Sequence, residues 1–305
     1  MRPAKERFSR VALPANRPIR GEGDVNASGA VLSDAGPLLA KITSKIGPSV
    51  AAFRKQAAVS AIRRLMVRRG LNLDQIDADE DLKEEFIDEV TVGETHFFRG
   101  AAQFDLVRDT ILPELCRSRP PGSPVRIWSL GCASGEEPYS VAILCEEGGL
   151  SHKVEIAASD ISRKALSDAA GADFGEWALR NTDECWRQRY FYQCGSRYRL
   201  RSDLAGRVSF TKVALGADAL PAPERGLAEF DLILCRNVLV YLEAAAVRRI
   251  ARELFACLVE GGWLITAPTD PPLWQHAPFE RSTTSAGVVY RRPTAPEKAP
   301  ADDRS

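Results

Sequence analysis

The chain has 305 residues, 45% of them hydrophobic, enough to bury one large core or two smaller ones. Lys+Arg and Asp+Glu both number 41, so no global field draws the protein toward nucleic acid or an anionic surface. No apolar run is long enough to cross a bilayer, and the N-terminus lacks the apolar centre of a secretory signal, so a cytoplasmic protein without membrane insertion is expected. Seven scattered cysteines without a CxxC pair predict reduced thiols, and His96, His152 and His276 make no metal-ligand spacing, so no metal is expected.

Residues 1–36 mix Arg, Pro, Gly, Ala and Ser without periodicity and read as a somewhat basic, disordered arm. From Pro37 the pattern becomes helical: Leu38, Leu39, Ile42 and Ile46 form one face until Gly47-Pro48 ends it. A second helix is predicted over 50–69 and a third over 81–90, which closes a small all-helical N-terminal domain over 37–92. The second helix carries Arg54, Lys55, Arg63, Arg64, Arg68 and Arg69 with no acidic residue between Phe53 and Leu73. Such a run is either a solvated face or a surface that steers an acidic partner. It lacks the interleaved aromatic residues of a single-strand nucleic-acid binder, and no nucleic-acid partner is expected.

Residues 93–124 read as a linker and a connecting helix near 101–116, closed by the Pro/Gly/Ser-rich stretch 119–124. An α/β domain follows over 125–292, with candidate strands at 125–130, 154–159, 208–213, 230–235 and 263–266 and helical patterns between most of them. That alternation implies a parallel, Rossmann-like sheet with helices on both faces. Gly195-Ser196 and the alternating RYRLR of 197–201 suggest a small antiparallel β insert at about 190–207, and 293–305 reads as a disordered tail.

The stretch VRIWSLGCASGEEPYS, Val125 to Ser140, carries the most chemistry. An apolar strand stops at a loop holding Gly131 and Gly135, which allow tight turns and close approach of a ligand. Glu136 and Glu137 then open a helix, and two carboxylates there would repel a pyrophosphate at the helix N-terminus. A cationic or zwitterionic adenosyl cofactor fits better, which makes S-adenosylmethionine (SAM) the first candidate. The second strand ends in Ser159-Asp160, where an acidic group meets ribose hydroxyls; Asp160 could instead cap the next helix. The fourth strand ends in Cys235-Arg236-Asn237, at the carboxyl ends of the strands where ligands bind in such sheets, though Asn237 could equally cap a helix.

Four blocks in this order resemble one family closely, the chemotaxis-receptor methyltransferases (CheR). They are VTVGETHFFRG (Val90 to Gly100), the glycine block just described, AASD (Ala157 to Asp160) and FDLILCRNVLVYL (Phe230 to Leu242), and the likeness runs from about Leu38 to Pro293. The resemblance implies SAM-dependent methylation of glutamate side-chain carboxylates on the cytoplasmic helical domain of a chemotaxis-type receptor. It assigns Gly93, Thr95, Arg99, Gly131, Glu137, Asp160, Ala214, Leu215, Arg236 and Asn237 to the cofactor, and Arg99 and Tyr241 to the reaction centre. Thr95 and Arg99, four apart, would share a face if their block were helical, while Arg99 could instead form an interdomain ion pair. Phe97 and Phe98 are expected to anchor that block in the core.

Some positions depart from the family. Ala214 replaces an asparagine that contacts adenine, Gly93 another asparagine near the cofactor, Phe174 a tyrosine, and Ala267-Pro268-Thr269-Asp270 a Gly-His-Ser-Glu. The insert loop 193–197 has a single glycine, so no tether to a receptor's C-terminal peptide is expected, and the protein is expected to be a monomer. These departures leave open a SAM-binding regulatory module without turnover. TDPPLW at 269–274 leaves open an amino acceptor, although it follows the fifth strand and not the fourth.

Overall fold

The computed structural model describes residues 52–71, 75, 79–91 and 93–294; the predicted arm, the helix expected from Pro37 and the tail from 295 lie outside them. Helix α1 (Ala52–Arg69) packs on α2 (Glu80–Val90). The Asp79 side chain caps α2 by accepting the N–H groups of Asp81 and Leu82, and Glu80 and Asp81 complement the positive end of the helix. Lys83, Phe86 and Ile87 are its buried residues.

The connecting helix is continuous but uneven. α3 (Ala101–Leu106) passes through a π segment, Val107–Ile111, into α4 (Leu112–Ser118). Pro113 explains the irregularity: it has no N–H to donate and its ring excludes the carbonyl four residues back, so the turn widens and Leu112 N–H reaches Val107 O.

The α/β region then alternates: β1 (Val125–Leu130), α5 (Glu136–Glu147), β2 (Val154–Asp160), α6 (Arg163–Gly171), β3 (Asp173–Gly175), α7 (Glu184–Tyr190), β4 (Phe191–Cys194), β5 (Arg197–Leu200), α8 (Ser202–Ala205), β6 (Val208–Lys212), β7 (Phe230–Cys235), α9 (Ala244–Cys257), β8 (Leu258–Thr266), β9 (Glu280–Thr284) and β10 (Gly287–Arg291). The main sheet has the order β6-β2-β1-β7-β8-β10-β9. The first five of these strands are parallel, as predicted, and β7 is buried along its whole length, the pattern of a central parallel strand. At one edge β10 and β9 add an antiparallel hairpin beyond the five predicted strands. The fifth predicted strand also starts earlier, at Leu258, because a bulge around Gly261-Gly262 looks like a turn in sequence. The small insert is a three-stranded antiparallel sheet, β3-β5-β4, so it draws in 173–175 as well as the predicted hairpin.

Strand alternation divides the interior into two cores. Ile127, Leu232, Leu234 and Ile265 face one side with α5 and the small sheet; Trp128, Leu130, Ile233 and Leu264 face α9 on the other. α9 contributes Ala246, Val247, Ile250, Leu254 and Cys257 at helical spacing. Two polar groups buried in the sheet have partners: Asp231 accepts two bonds from Arg119 at 2.7 Å and the N–H of Arg126, and Trp128 Nε1 donates to Ser159 Oγ at 2.9 Å.

Candidate active site

The strand order reverses at β1, whose neighbours β2 and β7 are reached by chain running in opposite directions, and a ligand crevice opens at the carboxyl ends of strands at such a point. An open, largely apolar cleft lies there. Gly131, Asp160, Leu215, Asn237 and Tyr241 line it together with Gly93, so six of the residues expected from sequence converge on one cavity. Val90, Thr91, Leu130, Ala133, Ile161, Ala165, Val213, Val238 and Leu242 complete the lining.

Gly131 is a steric necessity. Its φ of +75° is left-handed, and a Cβ would stand 2.3 Å from Cγ2 of Val238, so only glycine lets the β1 and β7 loops meet. Asp160 ends β2 and accepts N–H groups from Ala133 at 2.9 Å and Ser162 at 3.0 Å. Burial nevertheless holds its carboxyl above the usual aspartate range. The capping alternative falls to Ser162, whose Oγ accepts from Ala165 N–H and begins α6. Asp160 is thus a fixed acceptor whose remaining lone pairs are available at the cleft.

Asn237 is likewise no helix cap. It sits in a left-handed conformation, φ +57°, with its Nδ2 on Thr269 Oγ1 at 3.1 Å. A single 3-10 turn, Leu239–Tyr241, follows it. The carboxylate of Asp270 holds this loop from below by accepting the N–H groups of Asn237 (2.7 Å), Val240 (3.0 Å) and Ala267 (2.9 Å). In sequence Asp270 falls within TDPPLW, the stretch that leaves an amino acceptor open; in the fold it positions the segment that carries Tyr241.

Arg236, Glu137 and Arg99 form a second layer. Arg236 is 8% exposed; its Nε donates to Gln103 Oε1 at 2.6 Å, its Nη1 to Glu137 Oε2 at 2.9 Å and its Nη2 to the Arg99 carbonyl. Glu137 also accepts from Ser129 Oγ at 2.8 Å. Arg236 and Glu137 are therefore joined to each other, and neither they nor Thr95, Arg99 and Ala214 line the cleft in this structure. Gln103, missed from sequence, is a buried polar residue that also donates to Thr266 O at 2.8 Å; its place on an apolar helix face was the signal. Ala214 donates its N–H to Asp218, and its neighbours Val213 and Leu215 line the cavity.

The Thr95–Arg99 block is irregular and not helical, so the condition for a shared helical face is not met. Arg99 Nη1 donates to the Glu94 carbonyl at 2.7 Å, and among the described residues Arg99 forms no ion pair. Phe97 and Phe98 are buried as expected. Phe97 meets Phe174 and Phe191 edge-on at 4.8 and 5.0 Å, and Phe98 lies against Phe104 and Trp186. Phe174, a tyrosine in the family, is buried among aromatic rings where no hydroxyl is needed.

The cavity is walled by Leu130, Val213, Leu215, Val238 and Leu242 with one half-buried acidic acceptor, Asp160, and the helix that follows the glycine loop begins with two carboxylates. That set suits an adenosyl group with ribose hydroxyls and repels a phosphate. Residues 93–270 match the sequence profile described as CheR methyltransferase, SAM binding domain. The chain belongs to this family. It is a SAM-dependent methyltransferase, and SAM is its cofactor. Among its relatives, chemotaxis protein methyltransferase Cher2 of Pseudomonas putida is 28% identical over 253 residues, 78% of this chain and 90% of the relative. Chemotaxis protein methyltransferase 1 of Pseudomonas aeruginosa is 30% identical over 252 residues, with the same two coverages. Among solved structures, magnesium protoporphyrin IX methyltransferase (ChlM) from Synechocystis PCC 6803 with bound SAM is similar with a TM-score of 0.35 at 14% identity, over 63% of this chain and 77% of that one. No helix among the described residues is long and apolar enough to cross a membrane.

Proposed function

We propose that this CheR-family enzyme methylates glutamate side chains on the cytoplasmic helical domain of a chemotaxis-type receptor, giving methyl esters. One observation carries the reading: Arg99, in the segment that leads out of the cleft lining at Gly93, has no carboxylate within ion-pair distance among the described residues. A guanidinium so placed is ready to receive an acceptor carboxylate through charge-assisted hydrogen bonds. The names of the relatives, chemotaxis protein methyltransferases, support the same acceptor class.

SAM, when bound, supplies an electrophilic methyl group on a sulfonium. A glutamate acceptor is already ionised at neutral pH, so no general base is required and the residues act by alignment and by excluding water. In this reading Asp160 accepts the ribose hydroxyls, Leu215 packs against the base, Glu137 meets the amino group of the methionine part, and Arg99 and Tyr241 orient the acceptor. Arg236 holds Glu137 and the Arg99 backbone in register. Recognition takes place at the cleft of a monomer without a peptide tether, since the β4–β5 hairpin turns on Gly195 alone.

The basic helix α1 contributes less than its sequence suggests. Arg64 and Arg68 donate to Glu89, and Arg68 and Arg69 to Glu85, so its charge is partly answered by α2. The amino-acceptor alternative loses its motif as well, because the Asp270 carboxylate is engaged by backbone N–H groups.

The test is to incubate the protein with methyl-labelled SAM and purified receptor cytoplasmic domains, then treat the product with mild alkali. A glutamate methyl ester releases volatile methanol. A label that stays on the protein after alkali, or no transfer to any receptor domain, would sink the proposal.

A further inference from the structure

The segment bearing Arg99 is fastened to the turn after β3. Phe97 N–H donates to Ala178 O at 2.9 Å, which brings Arg180 against His96. Arg180 is held from three directions. Its Nη2 lies 2.6 Å from His96 Nδ1, its Nη1 donates to Trp177 O at 2.7 Å, and its guanidinium centre sits 4.2 Å from the centroid of the Trp177 ring. Since a guanidinium only donates, Nδ1 of His96 is the acceptor and the ring proton is on Nε2; Nε2 lies 3.0 Å from Asn181 Nδ2, and of that side-chain amide only the oxygen can accept the ring proton. Burial first, and then the charges of Arg180, Arg99 and Arg236, hold the imidazole below its usual pKa. The positive charge here belongs to the arginines.

Arg180 has no carboxylate within ion-pair distance among the described residues, and neither has Arg99; Arg64, Arg69, Arg119 and Arg236 each have one and Arg68 has two. The field of Glu136 reaches Arg180 without an ion pair. Trp177 is 70% exposed, so the indole that braces Arg180 faces solvent. An unneutralised guanidinium, already fixed by stacking and two hydrogen bonds, loses little freedom when it binds a planar carboxylate.

We propose that Arg180, braced by Trp177 and His96, is a second carboxylate-binding subsite, which recognises an acidic side chain of the acceptor peptide beside the one that is methylated. The inference rests on the reading that the acceptor is an acidic protein segment. Arg99 would meet the reacting carboxylate and Arg180 a neighbouring one, and the hydrogen bond from Phe97 N–H to Ala178 O ties the two segments that carry them together.

Binding separates this subsite from catalysis. The full chain, saturated with S-adenosylhomocysteine, is titrated against a fluorescein-labelled helical peptide of alanine and glutamate, and anisotropy is followed. Arg180→Glu should weaken binding about tenfold and Arg180→Gln about threefold, while SAM affinity and Tm stay at parental values. Arg117→Glu, the same charge change on exposed α4, should cost less than about twofold. Parental affinity in Arg180→Glu, a loss no larger than that of Arg117→Glu, or no binding by the parent protein would overturn the subsite. If the Arg180 effect is present but no receptor domain is methylated, the subsite stands and the receptor assignment fails.

Discussion

At Asp160, geometry and burial act in opposite directions. Two backbone N–H groups favour the carboxylate, yet burial wins and raises its pKa. A carboxyl whose folded pKa is raised adds stability below its unfolded pKa, and this is lost as pH rises through the folded value. Ribose binding needs the ionised form, so SAM affinity should do the reverse: fall as pH drops through a midpoint above the usual aspartate value of about 3.9. Asp160→Ala should cost about 1–3 kcal/mol of SAM binding at neutral pH and flatten this pH dependence. Calorimetry across pH 4.5 to 8 is the check, and an unchanged profile in the variant would remove Asp160 from the ribose site. Tyr241 and Arg99 separate differently. Tyr241→Phe keeps the volume and should lower single-turnover methyl transfer by about tenfold or more with SAM binding intact, whereas Arg99→Ala should lower transfer further. Transfer at the parental rate in Tyr241→Phe would make its hydroxyl structural.

At the scale of elements, the loop after β7 is the informative one, because Asn237, Val238, Tyr241 and Leu242 all reach the cleft from it. Its shape depends on a carboxylate from the next strand's loop. Asp270→Ala leaves three N–H groups without that acceptor, so SAM affinity should fall by about 1–3 kcal/mol although Asp270 itself does not line the cavity. Asp270→Glu, the residue type of the family at this position, should recover part of the loss; equal affinity in parent and Asp270→Ala would show that the loop holds its shape without the anchor. The sequence displayed the loop's chemistry but not its anchor, because hydrogen bonds across some thirty residues leave no periodic trace. The same reason separates the elements that were legible from those that were not. β1 and β7 are mostly apolar runs ending at glycine or Arg-Asn, and could be read directly. β9 is Glu-Arg-Ser-Thr-Thr, an exposed edge with no apolar alternation, and is fixed only by pairing with β10. β8 is interrupted at Gly261-Gly262, where φ of +75° at Gly261 and a bulge mimic a turn. The condition under which Thr95 and Arg99 would share a face, a helical block, is not met because Phe97, Phe98 and the Ala178 carbonyl dictate that segment's path.

Across the whole molecule, the cleft belongs to two parts of the chain at once. Val90, Thr91 and Gly93 form a wall supplied by α2 and the residues after it, while the floor comes from the sheet. α2 is fastened to the sheet side by polar contacts: Glu84 to Lys212 and Arg163, and Asp88 to Ser162 Oγ at 2.6 Å. Ser162 is also the residue whose N–H binds Asp160, so this fastening reaches the ribose acceptor within two hydrogen bonds. Binding that needs both wall and floor must stabilise their association, and by linkage anything that weakens the association must weaken binding by the same factor. Bound SAM is therefore expected to slow amide hydrogen exchange in 80–91 more than in α9, which packs on the opposite face. Glu84→Ala combined with Asp88→Ala should raise exchange in 80–91 and reduce SAM affinity about tenfold, or about 1.4 kcal/mol, with exchange in β1 and β7 unchanged. Exchange mass spectrometry and calorimetry on the same samples decide the matter: parental SAM affinity despite faster exchange in α2 would mean that the floor alone holds the cofactor and that the helical wall serves only the acceptor.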